Sequence, residues 1–388
     1  MEADPPMRDD TYGQPLGDPG HRLIDADSHV NEPPDLWVSR VPAELRDRVP
    51  QMRTFDEGDA WVMEGVADPI NFGLNAAAGL PVDQRKPWVR WEDLRAGGCD
   101  PKARLAEMDV DLVDASILYP TPRISQLVIG TKDPELHLAM VRAYNDWISE
   151  YCEHDPTRLG GLYLIPNRGI DDAVREIERV SDRPGVVGAL LGCYPHGDLD
   201  LAEEDDRVWQ AVVDHGHALH IHVALKNDLP TNVYAAATMT QARAQGDLRF
   251  MEAPVRMLQF IGAGVFDRVP DLRIVLGEVD AGWVPYVKEQ MDNRALRRTL
   301  GSTMRVAELP SAVVSRHFFY TYITDHFAIR NRHAVGVNRL MWSSDFPHSG
   351  SDWPSSARVI HADFADVEPA ERDAILAGNA RALYGFGS

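Results

Sequence analysis

The sequence predicts an α/β chain built as a (β/α)8, TIM-like barrel with long loop insertions over the C-terminal face of its strands. Three observations lead there. Eight short apolar runs read as strands, helical stretches separate them, and acidic or imidazole side chains gather where several of the runs end. The strands are expected at Arg22 to Ala26, Asp114 to Tyr119, Gly161 to Ile165, Val186 to Leu191, Ala218 to Val223, Leu272 to Val279, Phe318 to Ile323 and Arg339 to Ser343.

The helices between them carry ordinary signals. Asp133 is placed to cap a helix whose first turn holds Pro134 and whose apolar face carries Leu136, Met140, Ala143 and Trp147. Further helices are expected near Asp171 to Ser181, Asp205 to His215, Trp283 to Asn293 and Pro369 to Leu376. A doubly wound open sheet has the same local pattern, so periodicity leaves closure of the sheet open.

Two stretches break the repeat. Residues from about 38 to 98, with Trp61, Phe72, Trp88 and Trp91, are too long for a plain loop and read as a lid or subdomain over the strand ends. Residues from about 228 to 262 hold an Ala-rich helical piece, Tyr234 to Ala244, and an apolar one, Val255 to Val265. The first 20 residues are acidic, rich in Pro, Asp and Gly, and read as a flexible tail; residues 21–388 form the barrel.

Composition narrows the function. Of 388 residues, 44% are hydrophobic and 26% charged, which suits a large soluble core. A formal charge of −21 repels phosphate backbones and anionic lipid, so a nucleic-acid or membrane partner is not expected. Cys99, Cys152 and Cys193 have no metal-knuckle or disulfide spacing, and no secretory leader is recognisable, which points to a reducing cytoplasm. No Gly-rich phosphate loop follows a strand, so nucleotide cofactors are not indicated.

Chemistry concentrates at four strand ends. The first closes with Asp25-Ala26-Asp27-Ser28-His29, whose alternation sends Asp25, Asp27 and His29 to one face, the interior of a closed barrel. Two carboxylates and an imidazole there need a cation or a hydrogen-bond network; the plainer alternative is a capped turn. The fifth carries His220 and His222, the latter nearer the C-terminal end, with core histidines as the alternative. The sixth ends at Glu278, a ligand, a general base or a helix-capping acid. The eighth ends in Ser343-Ser344-Asp345-Phe346-Pro347-His348, where Asp345 is a ligand, a base or a turn cap. Carboxylate oxygen with imidazole nitrogen suits Zn²⁺, Mn²⁺ or Fe²⁺. Trp61, Trp88, Trp91, Tyr119 and Trp353 are candidates to line a partly apolar pocket, or ordinary core.

At these residues the chain resembles the amidohydrolase superfamily, in particular the amidohydrolase-related branch that includes aminocarboxymuconate-semialdehyde decarboxylase and the dihydroxybenzoate decarboxylases. Ala143-Tyr144-Asn145-Asp146-Trp147, Asp155-Pro156-Thr157-Arg158-Leu159, Pro270-Asp271-Leu272-Arg273-Ile274-Val275 and Gly378-Asn379-Ala380-Arg381-Ala382-Leu383-Tyr384 add to the likeness. The resemblance implies a metal-dependent barrel holding one divalent ion on Asp27, His29, His222 and Asp345, with Asp27 in place of the usual first histidine. Zinc is expected first, with manganese or iron as alternatives. Glu278 stands where many relatives carry a histidine that binds substrate or moves a proton.

The implied activity is that of a hydrolase or a non-oxidative decarboxylase acting on a small to medium carboxylated substrate. Glu278, Asp345 and His348 are its candidate proton carriers, and a homodimer is its implied assembly. The surplus of acids and imidazoles, with Asp25, Glu32, Glu278 and His348 as possible additional ligands, keeps a two-iron oxygenase as an alternative. A non-catalytic binding protein on a degenerate barrel is the other.

Overall fold

The computed structural model describes residues 22–222, 251–297 and 308–387. Strand β1 (Leu23–His29) is followed by a small antiparallel hairpin of β2 (Gln51–Thr54) and β3 (Asp59–Val62). Then come β4 (Val113–Tyr119), β5 (Leu159–Leu164), β6 (Val186–Leu190), β7 (Ala218–His222), β8 (Ile274–Gly277), β9 (Phe318–Tyr322) and β10 (Leu340–Trp342). Eight of these form one parallel sheet in the order β1-β4-β5-β6-β7-β8-β9-β10, with helices in the connections.

The edges of that sheet meet just beyond β10, which answers the question periodicity left open. Asp345 N donates to Asp27 O at 3.0 Å and His29 N to Phe346 O at 2.6 Å, so the last strand's exit is stitched to the first strand. The result is a nearly closed barrel whose strands carry fully buried residues such as Leu23, Ile117, Leu162, Leu219 and Leu276.

Differences from expectation fall at element ends and have local causes. All seven residues of β1 are buried and the strand runs on through His29, so Asp27 and His29 lie within it and not in a turn after it. The strand β8 is shorter than the apolar run suggests. Leu272 N turns back to Val269 O, and Glu278, at φ 56°, takes a left-handed conformation no strand continues through. Asp133 caps the helix Pro134–Glu153 as expected, accepting from the amides of Glu135 and Leu136. The expected helix at Pro369 to Leu376 is a short helix, Pro369–Asp373, that opens into a π turn at Ala374–Gly378 before Asn379–Tyr384. The apolar piece after residue 250 is the helix Glu252–Gly262, whereas Tyr234 to Ala244 lies outside the described residues.

Shared motifs act as braces. Asn145 Oδ1 accepts from Leu164 N at 2.8 Å while its Nδ2 donates to Leu164 O and to buried Glu176, tying the end of β5 to two helices. Arg158 donates to the carbonyls of Asp114 and Val113 at the entry of β4. All three cysteines are free thiols. Among the described residues no helix is long and apolar enough to cross a membrane.

The insertion after β1 reaches the C-terminal end of the barrel. Ala78 N donates to Pro347 O at 3.0 Å and Ser349 N to Leu74 O at 2.8 Å. Ala78, Phe346 and Trp353 form a separate small apolar cluster there. The segment therefore straps the loop that carries Asp345 and His348.

Candidate metal centre

The strand β1 supplies the first two donors. His29 Nδ1 donates to Pro120 O at 3.0 Å, which puts the acceptor lone pair on Nε2 and turns it inward. Asp27 uses one oxygen to accept from Thr321 Oγ1 at 2.8 Å, and its other oxygen, Oδ1, makes no hydrogen bond. His222 arrives from the end of β7 and Asp345 from the loop after β10, where a φ of 55° turns it into the barrel mouth. Such strain at a non-glycine residue is characteristic of functional positions.

The spacing of these atoms is one that could hold an ion. His29 Nε2 lies 3.6 Å from Asp27 Oδ1 and 3.4 Å from Asp345 Oδ1, and His222 Nε2 lies 3.7 Å from Asp27 Oδ1. These separations are long for hydrogen bonds, and they match the edge of about 3.4 Å between donors each held ~2.1 Å from a common centre. Asp27, His29 and His222 form one group of possible ligands and His29, Asp345 and His348 another, with His29 common to both. Gly277 permits the approach, since a Cβ there would stand 3.1 Å from both Asp27 Oδ2 and the His222 ring.

Electrostatics point the same way. Burial, then the neighbouring Glu278 and Asp345, hold the Asp27 carboxyl well above its usual range, and Thr321 works against that shift. Crowded buried acids of this kind favour a cation that takes the place of protons.

The outer candidates divide. Glu278 Oε2 is 3.3 Å from His222 Nε2, and its amide donates to Thr321 Oγ1 at 2.8 Å. His348 Nδ1 is 2.7 Å from Asp345 Oδ1, and its ring stacks on His29 at 3.9 Å between centroids. Asp25 and Glu32, expected as additional ligands, do not reach the cluster. Asp25 is occupied by the amide and hydroxyl of Ser344, and burial pushes its carboxyl up to about 6. Glu32 accepts from Thr121 N at 2.9 Å, and burial pushes it up to about 7. Each serves a backbone amide beside the site.

His220 accepts from Tyr119 Oη at 2.6 Å inside the barrel, and burial lowers it to about 3, which keeps it neutral. The aromatic candidates are mostly core: Trp61 packs edge-on to Trp37, Trp88 on Phe55, Trp91 on Phe72 and Trp353 on Phe346.

Three supporting residues escape a reading of the sequence. Thr321 is the polar residue of an aromatic strand, Phe318-Phe319-Tyr320-Thr321-Tyr322, and that contrast is its only signal. Ser344 beside Asp345 looks like turn chemistry. Asn75, whose Nδ2 lies 3.3 Å from His348 Nε2, sits in the insertion without any motif.

Comparison with known proteins follows the same outline. The family model described as Amidohydrolase matches residues 24–386. Gamma-resorcylate decarboxylase of Polaromonas sp. is 25% identical over 316 residues, 76% of this chain and 90% of that protein. The enzyme of the same name from Rhodococcus jostii is 26% identical over 322 residues, covering 75% and 90%. Among solved structures, an amidohydrolase from Mycobacterium avium subsp. paratuberculosis superposes with a TM-score of 0.73 at 20% identity, covering 94% of this chain and 98% of that one. The dihydroxybenzoic acid decarboxylase of Polaromonas sp., solved with bound manganese and the inhibitor 2-nitroresorcinol, gives a TM-score of 0.63 at 20% identity, covering 95% and 98%. With the family match spanning the barrel from its first strand to its last helix, the chain belongs to the amidohydrolase family.

Proposed function

We propose that the chain is a metal-dependent, non-oxidative decarboxylase of a hydroxylated aromatic carboxylate. It uses a divalent ion, manganese first, held by Asp27, His29, His222 and Asp345. The observation that carries this reading is the grouping of Asp27, His29 and His222 at ligand spacing on the C-terminal end of the barrel, with Asp345 3.4 Å from His29 beside them. The curated relatives, gamma-resorcylate decarboxylases, supply the reaction class, and the manganese in a solved relative supplies the metal. The ion would orient a carboxylate and stabilise the anionic charge that develops on substrate oxygen.

The remaining chemistry belongs to the protein. The ring carbon that carries the carboxylate must gain a proton; the electron pair of the broken C–C bond then returns to the ring as carbon dioxide leaves, with no change of redox state. Glu278 is the carrier we assign, because its carboxylate stands at the edge of the cluster beside His222 while its backbone is fixed by Thr321. His348 restrains Asp345 through its Nδ1 contact and is itself held by the strap at Asn75. With Asp25 and Glu32 committed to backbone amides, the acids available for a second iron shrink to Glu278, which weighs against the oxygenase alternative.

The test is release of carbon dioxide from a panel of hydroxybenzoates by apo-protein reloaded with Mn²⁺ or Zn²⁺. Metal-dependent turnover of one of them is expected. Stoichiometric metal with ester or amide hydrolysis and no decarboxylation would replace this reading with the hydrolase one.

A further inference from the structure

Behind the arm that carries Asp27 and His29 lies a buried guanidinium. Arg104 projects from the helix Pro101–Val110, which leads into β4, and is 1% exposed. Its Nη1 donates to His29 O at 2.9 Å and its Nη2 to Ser28 Oγ at 2.6 Å. The Phe346 ring lies under it, with the centroid 4.7 Å from the guanidinium carbon. Among the described residues no carboxylate stands within ion-pair distance of it, and its Nε makes no hydrogen bond.

For stability alone this is a poor choice. A buried charge that Asp25 and Glu107 attract only from beyond contact distance still costs several kcal/mol, and a methionine of similar length would fill the space at less expense. What the guanidinium does hold is specific. The two peptide groups flanking His29 are both held, its N–H donating to Phe346 O and its carbonyl accepting from Arg104, while the ring's Nδ1 is bound to Pro120 O. Ser28, the second acceptor, passes the restraint on to β4 by donating to Ile117 O at 2.9 Å. Only a planar fork reaches two acceptors on consecutive residues in this way; an ammonium is a single point.

We propose that Arg104 is a positioning residue for the metal centre, fixing the Ser28–His29 segment so that His29 Nε2 and Asp27 Oδ1 keep the spacing an ion requires. The inference rests on reading those atoms as ligands. It goes further in assigning part of the site's affinity to a side chain on the far side of the strand.

The test measures Mn²⁺ affinity of apo-protein by competition with a chelating dye, alongside circular dichroism and urea denaturation, for wild type, Arg104→Lys and Arg104→Met. Loss of an outer partner of a ligand weakens metal binding about 10–100-fold, and Arg104→Met is expected in that range with Arg104→Lys closer to its lower end. A merely structural role would shift the denaturation midpoint and leave the dissociation constant alone. A folded Arg104→Lys with wild-type affinity therefore overturns the proposal. Ser28→Ala, which removes the second acceptor with little change in volume, decides the matter if neither Arg104 variant folds. Its expected rise in Kd is about threefold, under one hydrogen bond's worth, and an unchanged Kd overturns the proposal. Wild-type protein that binds neither Mn²⁺ nor Zn²⁺ overturns the metal-centre reading itself, an outcome distinct from equal binding by wild type and variant.

Discussion

Replacing Thr321 with valine isolates the orientation of Asp27 from everything else at the site. The change keeps the branched shape on β9 and deletes one oxygen, the atom that donates to Asp27 Oδ2 at 2.8 Å and accepts from Glu278 N at 2.8 Å. A hydrogen bond to a charged group contributes about 1.5–3 kcal/mol, and stranding a buried amide costs about 1–3 kcal/mol. In apo-protein the Asp27 carboxyl is displaced toward its neutral form, so the first figure counts in part. Thr321→Val should then destabilise apo-protein by roughly 2–4 kcal/mol in urea denaturation, and weaken Mn²⁺ binding about 10–100-fold in a chelator competition. The hydroxyl also lowers the Asp27 pKa, so its loss raises it, and metal uptake, which requires the carboxylate, should move to higher pH. A valine variant with wild-type midpoint, affinity and pH dependence would show that Asp27 is aimed by something other than Thr321.

Other substitutions separate the remaining roles. His222→Ala and Asp345→Asn should each lose stoichiometric metal, by elemental analysis, and lose turnover while the circular dichroism stays that of wild type, because strand-end ligands add little to core packing. Glu278→Gln should keep the metal and lower kcat by about 10²–10⁴-fold, the range of a general acid's contribution; loss of metal instead would make Glu278 a ligand. Glu32→Gln should leave metal occupancy unchanged and alter only the pH dependence of stability. In the wild type, burial raises Glu32 from 4.5 to about 7. Its contribution is thus fully present below 4.5 and lost as pH rises through 7, so the variant should match wild type near pH 4 and exceed it at pH 8 by about 3 kcal/mol at most. Equal stability at both pH values would show that the carboxyl titrates normally.

The barrel was legible because its strands are short, apolar and separated by helices with ordinary caps, and Asp133 was readable to the residue. Closure was not, because it depends on two backbone bonds, Asp345 to Asp27 and His29 to Phe346, that leave no mark on composition. At the site, Asp27, His29, His222 and Asp345 stand out in sequence since charge and imidazole are conspicuous in apolar runs. Their neighbours Asp25 and Glu32 look identical to them by type. Only contacts with Ser344 and Thr121, far away in the chain, divert those two to backbone amides. Thr321, Arg104 and Asn75 act through partners on other elements, so neither spacing nor periodicity could single them out.

The seam between first and last strand places the beginning and the end of the folding problem at one point. Asp25 and Ser344 are 319 positions apart in sequence and share hydrogen bonds beneath the ligand cluster. A growing chain therefore holds the β1 half of the proposed site and no complete one until β10 and the loop after it have been made and docked. On the proposed ligand set, ion capture would then report that the barrel has closed. Because the last donor arrives with the last strand, fragments released early should carry no tightly held ion, and the reactive centre comes into being only inside a finished wall.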